Sequence, residues 1–585
     1  MSSVTPASGT PTGPSDPWRR RLTVAQRQEP ADLVIRGGTV VNVFSGELLR
    51  QDVAIADGRI AAVGEGYDGT RTIDAGGMLV APSFIDGHVH VESALVWVTE
   101  FARAVVPRGT GAVVTDPHEI ANVAGLPGMR ALRDAARSLP MRVAFTVPSC
   151  VPASPFESPG VSLGPDAVAE ALAWPDVVGL GELMNFPGLL AGDAEIEAKL
   201  ASATGMRRDG HAPGLGGDAL QAYAGAGPTS DHESTTFEEA RDKLRAGLMV
   251  MIREGSTEQN LRELLPLVTD ATYPCCCFAS DDRDCHTLLH RGHMDDILRQ
   301  AIAAGLDPVR AIRMATWNTA DYWRLDGLGA VAPGFAASLV LISDLAAVTV
   351  AATIHEGVVV AEDGRLVTPL GSPAEAAPAL RQTVRVAPIT TNDLRLAPEN
   401  ARLAVRITPG QIVTTALPVE PLVVEGWVPA DPDQDLLKLI SVERHHATGR
   451  VGVGLVRGFG LRRGALASTI AHDAHNIVAV GTNDADLLGA VALVAESQGG
   501  LAIVADGRIL GHLPLPIAGL LSDQPLATVA AEYAALEAAA RSLGSSLDSP
   551  FGTLAFMSLS VIPEIRVIDR GTLLLTDVPR ELTGR

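Results

Sequence analysis

A chain of 585 residues is too long for one ordinary domain, and about two to four are expected. Its hydrophobic fraction of 46% with only 4% aromatics suits aliphatic-rich α/β packing and argues against a disordered chain. A net charge of −22 argues against a nucleic-acid partner, because neutralising phosphates requires clustered Lys and Arg, and it leaves a small molecule as the expected ligand.

In chain order, residues 1–30 are rich in Ser, Thr, Pro, Gly and Arg without an apolar core. They are expected to form a disordered tail and resemble neither a signal peptide nor an anchor. From Leu33 to Val80 short strands alternate with turns: Leu33-Val34-Ile35, Gly37-Gly38, then Val53-Ala54-Ile55 before Asp57-Gly58. Asp-Gly between apolar runs is a strong hairpin signal. The same texture returns at Leu339–Ile342 and at Val358–Val360 before Asp363-Gly364. Residues 31–81 and 332–370 are therefore expected to build one small β-sandwich-like domain, interrupted by everything between them.

Residues 82–331 alternate strand-like runs (111–115, 143–147, 177–180, 248–252) with helical stretches such as Thr235–Leu244 and Met294–Ala304. That rhythm predicts an α/β fold of the (β/α)8, TIM-like type. A Pro- and Ala-rich linker near Pro369 to Ala379 leads to a further unit, 385–585, of mixed strands and helices. No run of about 18 apolar residues suggests a membrane span. The five cysteines, Cys150, Cys275, Cys276, Cys277 and Cys285, are few, odd in number and clustered, which favours a reducing cytoplasm.

Residues with ligand chemistry recur where the strand-like runs end. His88 and His90 close the first run, and strand alternation projects both to one side. Asp116-Pro117-His118-Glu119, Gly181-Glu182, Asp209-Gly210-His211, Asp231-His232-Glu233 and Ser280-Asp281-Asp282 follow later ones. Any one of these could be a cap or a solvated loop residue. Their shared position points instead to a barrel mouth, where active-site residues gather. Four histidines and two carboxylates exceed the needs of one tetrahedral ion and fit two ions about 3.5–4 Å apart with a bridging carboxylate. Such a centre activates water for hydrolysis or deamination.

These segments resemble bacterial adenine deaminase, a family of the amidohydrolase superfamily. The resemblance rests on residues 87–93, 116–123, 210–214, 231–233, 251–256 and 281–283, and continues through 452–464, 471–476 and 481–484. It implies hydrolysis of adenine to hypoxanthine and ammonia by a metal-activated hydroxide, in purine salvage, by a cytoplasmic homo-oligomer, expected to be a dimer. It also implies a binuclear Mn2+ or Fe2+ centre, with Zn2+ also compatible. Carried over by motif, His88 and His90 bind the first ion, His211 and His232 the second, Glu182 bridges them, and Asp281 completes the first site and shuttles the proton. Glu233, Glu92 or Glu182 itself protonates N1 of the purine. Asp116, His118, Glu119 and Asp282 form an accessory or supporting set. Ala337-Ser338-Leu339, Ser234 and Cys285-His286 depart from the pattern without removing a ligand.

Other readings fit less well. A cyclic-amide hydrolase would carry a bridging lysine where Glu182 stands, and a non-catalytic scaffold would have lost part of the ligand set. His90-Val91-Glu92 with Pro274-Cys275-Cys276-Cys277 partly matches a cytidine-type zinc motif, but Phe278 stands in place of the last cysteine. Cys275–Cys277 are expected to pack the strand leading to Asp281. Gly452–Gly460 lacks the spacing of a dinucleotide fingerprint and predicts a tight turn. By residue type alone, His472 and His475 are expected at the solvated surface.

Overall fold

The computed structural model describes residues 17–371, 378–408, 411–562 and 564–575. Pro17–Ala25 is helical, where composition predicts a disordered tail. The helix is held by burial of Val24 in a cluster with Ala31, Val34 and Ala54, and by Arg20, which donates to Asp32 and Asp57. Residues 372–377 of the expected linker lie outside the described residues.

The segments flanking the central region form two sheets. One has four strands, drawn from Ala31–Arg36, Asp52–Ala56, Arg59–Gly64 and Gly69–Asp74. The other has seven, joining Thr39–Asn42, Glu47–Arg50 and Leu79–Pro82 to four strands between Leu339 and Leu366. Both hairpin signals fold as expected: Asp57 and Gly58, like Asp363 and Gly364, take positive φ, the geometry a two-residue turn needs to match strand twist. Leu33, Ile35 and Val53 pack with Val80, Leu339 and Ile354 in one core, so residues far apart in sequence share one hydrophobic cluster.

The central region is TIM-like. Eight strands run through it: β1 (Phe84–Val89), β2 (Thr110–Thr115), β3 (Arg142–Val147), β4 (Val177–Leu183), β5 (Arg207–Gly210), β6 (Ser230–Asp231), β7 (Met249–Arg253) and β8 (Cys276–Ala279). β1 to β5 form one parallel sheet and β6 to β8 another. Every residue of β1, β2 and β8 is buried, as expected for parallel strands covered on both faces. The two expected helices are found at Phe237–Arg245 and Met294–Ala303. Backbone hydrogen bonds span both gaps between the sheets. Thr229 N–H donates to Arg208 O at 2.8 Å; on the other side His90 N–H donates to Asp281 O and Asp281 N–H to His88 O, both at 3.0 Å. Asp86 reinforces that second seam by accepting from Ser280 N–H at 3.0 Å and from the Ser280 hydroxyl. Cys276 and Cys277 are buried on β8 as expected, whereas Cys275 is exposed.

Residues 403–514 contribute an eight-stranded mixed sheet. Its strands are β9 (Leu403–Ile407), β10 (Thr414–Pro418), β11 (Leu437–Val442), β12 (Val451–Arg457), β13 (Ala465–Ser468), β14 (Ile477–Gly481), β15 (Gly500–Ala505) and β16 (Arg508–Pro514), in the order β10-β9-β12-β11-β14-β13-β15-β16. The tight turn expected at Gly452–Gly460 is mostly strand, since residues 452–457 lie in β12. Its glycine is needed for close approach: a Cβ on Gly452 would lie 1.7 Å from Ile568 O, in the hairpin crossing that strand. Among the described residues no helix is long and apolar enough to cross a membrane.

Trp323 ties the helical layer to the strand that carries the first two histidines, its indole N–H donating to Gly87 O at 2.8 Å in a buried setting. Trp323→Phe leaves that carbonyl without its partner. The expected cost is about 1–3 kcal/mol, read as a lower thermal unfolding midpoint; an unchanged midpoint would show that the bond contributes nothing.

Candidate metal centre

The six residues predicted as ligands come together where the strands end. His88 and His90 leave β1, Glu182 lies near the end of β4, His211 follows β5, His232 follows β6 and Asp281 follows β8. All six are buried. Alternation along β1 points both histidines inward, and each is oriented from behind. His88 Nδ1 lies 2.7 Å from Asp209 Oδ2, and His90 Nδ1 lies 2.9 Å from Asp116 O. A carbonyl or carboxylate oxygen only accepts, so both Nδ1 atoms carry the proton and both Nε2 atoms present lone pairs. Those Nε2 atoms face each other across 3.0 Å.

Two lone pairs so placed need a cation between them. Donors held by one ion at ~2.1 Å in a tetrahedron stand about 3.4 Å apart. Glu182 Oε1 lies 3.2 Å from His90 Nε2 and 3.7 Å from His88 Nε2. Asp281 Oδ1 lies 3.2 Å and 3.5 Å from the same two atoms. These four donors thus bracket the expected edge length. Glu182 turns its other oxygen away from them: Oε2 is 2.6 Å from His211 Nδ1 and 3.4 Å from His232 Nε2. One carboxylate serves two donor sets, and His211 Nε2 and His232 Nδ1 are buried with no partner of their own. The donor chemistry, imidazole with carboxylate, fits a divalent ion.

Electrostatics points the same way. Burial raises the Glu182 and Asp281 carboxyls, but surrounding histidines, with Arg253 beside Asp281, outweigh it and hold both well below the ordinary range. Burial lowers His88 and His90, yet facing carboxylates carry both well above the usual imidazole value. A cluster that draws protons so strongly also draws metal ions, and the two compete for the same lone pairs.

The neighbouring groups separate into those near the donors and those apart. Glu233 Oε1 stands 3.6 Å from both His211 Nδ1 and His232 Nε2. Arg253, at the end of β7, donates to Glu233 and to Asp281 Oδ2 at 2.9 Å. Asp116 Oδ2 accepts from Glu182 N–H at 2.9 Å. A Cβ on Gly181 would come within 2.1 Å of that oxygen, so glycine is required there for Asp116 to fix the strand end. His118 Nδ1 is buried without a hydrogen-bond partner, 3.4 Å from Glu182 Oε1. Asp282 accepts from Ser93. Glu92 does not join the donors: it accepts from Ile120 N–H and lines an adjoining cleft, which shares Glu119, Asp282, His472 and Phe556 with the donor cavity. Burial, with Glu119 next, raises its carboxyl to about 7.

His472 and His475 are not at the surface. Both are buried against Glu119, His472 Nδ1 at 2.7 Å from its Oε1 and His475 Nε2 against its Oε2. His475 Nδ1 accepts from Ala471 N–H, so its Nε2 carries the proton and donates to Glu119. Glu119 also faces His118 Nε2 at 3.3 Å. Sequence reasoning had no signal for this union, because it joins the first turn of the helix His118–Ala136 to the loop between β13 and β14. Asp209 and Arg253 were quoted within motifs, but nothing in the spacing gave their contacts. The cavity that holds the donors is also lined by Ile412, His472, Asp473, Phe556 and Leu559, all beyond the TIM-like region.

A model described as the adenine deaminase C-terminal domain matches residues 411–578, and one described as the amidohydrolase family matches residues 79–367. Among individual proteins, an adenine deaminase of Dehalococcoides mccartyi is 46% identical over 94% of this chain and 96% of its own. That of Moorella thermoacetica is also 46% identical, over 94% and 96%. Adenine deaminase 2 of Carboxydothermus hydrogenoformans is 45% identical, over 95% and 97%.

Glu182→Gln removes the charge that both donor sets share while preserving shape. Bound divalent metal per chain, measured by elemental analysis after purification with metal supplied, is expected to fall about 10- to 100-fold in apparent affinity or more. Full metal content in the variant would show that Glu182 is not the bridge.

Proposed function

The chain belongs to the adenine deaminase family of the amidohydrolases, and from that premise we propose that it hydrolyses adenine to hypoxanthine and ammonia in purine salvage. What most supports the reading on structural grounds is the divided carboxylate of Glu182, with one oxygen toward each donor set. We read the strands β1 to β8 as a complete (β/α)8 barrel over residues 82–331. Residues 31–81 with 332–370 form the β-sandwich beside it, and 385–585 the C-terminal α/β domain. The protein is placed in the cytoplasm as a homo-oligomer, a dimer.

His88, His90 and Asp281 would hold one divalent ion, His211 and His232 the second, and Glu182 both; Mn2+ or Fe2+ is favoured over Zn2+. Such a pair, when bound, lowers the pKa of a water to near neutrality. The residues then manage the protons. Attack at C6 drives electron density onto N1, which must be protonated in or near the transition state. Glu233 is the residue for that step, since it lines the donor cavity and Glu92 does not. Asp281 takes a proton from the attacking water and returns it to the departing amino group. The hydroxyl left on C6 gives its proton back to Glu233 as it becomes the carbonyl, so the two protons of water balance those gained at N1 and in ammonia. Arg253, bonded to both carboxylates, keeps them in register.

The direct test is ammonia release from adenine by protein loaded with Mn2+ or Fe2+, beside adenosine, hydantoin and dihydroorotate. Release from a cyclic amide and none from adenine would replace this reading. Asp281→Asn, with its metal content verified, is expected to lower kcat by about 10²–10⁴-fold while adenine still binds. Near-normal turnover in that variant would remove Asp281 as the proton carrier.

A further inference from the structure

Asp473 lines the donor cavity, outside the six residues proposed as ligands, with one carboxyl oxygen unpartnered. It is buried, and its Oδ2 has no hydrogen bond. Its Oδ1 stands 3.9 Å from His118 Nε2 and 3.7 Å from His472 Nδ1, beyond hydrogen-bond reach. Both nitrogens lie closer to Glu119 Oε1, at 3.3 Å and 2.7 Å. A buried carboxyl left this way is costly, and such a group in a well-packed site calls for an explanation. Its loop is firmly held: His472 N–H donates to Ala555 O at 2.9 Å, His475 N–H to Ala471 O at 2.7 Å, and the Asn476 amide to Ser158 O at 3.1 Å. The side chain is therefore presented to the cavity by a fixed backbone.

The same wall carries aromatic and apolar surface. Phe556 lies parallel to His472, with centroids 4.5 Å apart and planes 12° from each other, and Ile412 and Leu559 continue the apolar surface. Adenine offers C6, N1 and the amino group to the metal donors and Glu233. Its one remaining hydrogen-bond donor is the N–H of the five-membered ring. A carboxylate can only accept. We propose that Asp473, supplied by the C-terminal sheet, accepts the five-membered-ring N–H of the purine and so selects the free base over purines substituted at that nitrogen. This inference rests on the reading of the site as an adenine deaminase and assigns a specificity residue within it.

The test uses the full-length protein loaded with Mn2+, comparing wild type with Asp473→Ala and Asp473→Asn. Kinetics with adenine are measured beside inhibition by 9-methyladenine, which lacks the N–H. In the alanine variant KM for adenine is expected to rise about 10- to 100-fold, the loss typical of a hydrogen bond to a charged group. Metal content stays unchanged and kcat changes much less. The asparagine variant falls between, because its amide carbonyl still accepts. Affinity for 9-methyladenine does not fall with it, so the preference for adenine narrows. An unchanged KM in Asp473→Ala, or equal losses for both purines, overturns the proposal. If neither variant folds, wild type binding 9-methyladenine as tightly as adenine also overturns it. Absence of adenine deamination by the wild type would instead defeat the functional reading, a distinguishable result.

Discussion

Across 3.0 Å, the Nε2 atoms of His88 and His90 face each other with their other nitrogens already committed to Asp209 and to the Asp116 carbonyl. That arrangement is repulsive unless positive charge sits between the rings. Around it the structure gathers Glu182 and Asp281, two carboxylates whose burial would be prohibitive without cations. Both features call for the same positive charge: it relieves the two facing lone pairs and offsets the two buried carboxylates. Asp116 and Asp209 play the supporting part, one fixing the end of β4 and the other fixing a tautomer.

Much of this was legible in the sequence because it follows strand periodicity. His88 and His90 share a face, and Glu182 and Asp281 each fall at the exit of an apolar run, whereas His211 and His232 follow short polar strands, Arg207–Gly210 and Ser230–Asp231. The hairpins at Asp57-Gly58 and Asp363-Gly364 were legible for the same local reason. What could not be read depends on contacts between distant segments. Glu92 is two residues from a proposed ligand, yet its carboxyl reaches Ile120 N–H and faces the adjoining cleft. Gly452 sits in a glycine-rich run that imitates a turn, and only the hairpin at Ile565–Leu574 reveals why a side chain is forbidden there. His472 and His475 are polar by type, so a rule about polarity sends them outward. Glu119 draws them in, and no pattern along the chain connects residues 356 positions apart.

The layer after the TIM-like region therefore belongs to the chemistry as well as to the architecture. His475 donates a hydrogen bond to Glu119, and Glu119 faces the Nε2 of His118, whose free nitrogen is turned toward Glu182. Asp473 and Phe556 complete the wall opposite the donors. Catalytic barrels commonly build such walls from their own loops. Here the loop between β13 and β14 and the end of the helix Pro550–Ala555 supply part of the wall, held by ionic contacts with Glu119 as well as by apolar packing.

The seam between β8 and β1 carries a consequence for how the molecule comes into being. Asp86 and Ser280, which reinforce that seam, are 194 residues apart, and the backbone bonds beside them involve His88, His90 and Asp281 themselves. The contact of greatest reach in the curled sheet is thus also the one that assembles the first donor set. During synthesis the two histidines emerge long before their carboxylate partner, and pairing at such separation is the slow part of folding. Capture of an ion by all four donors is possible only once that seam has formed. A tightly held metal would then act as a lock on the seam, slowing its reopening and making maturation and activation one event.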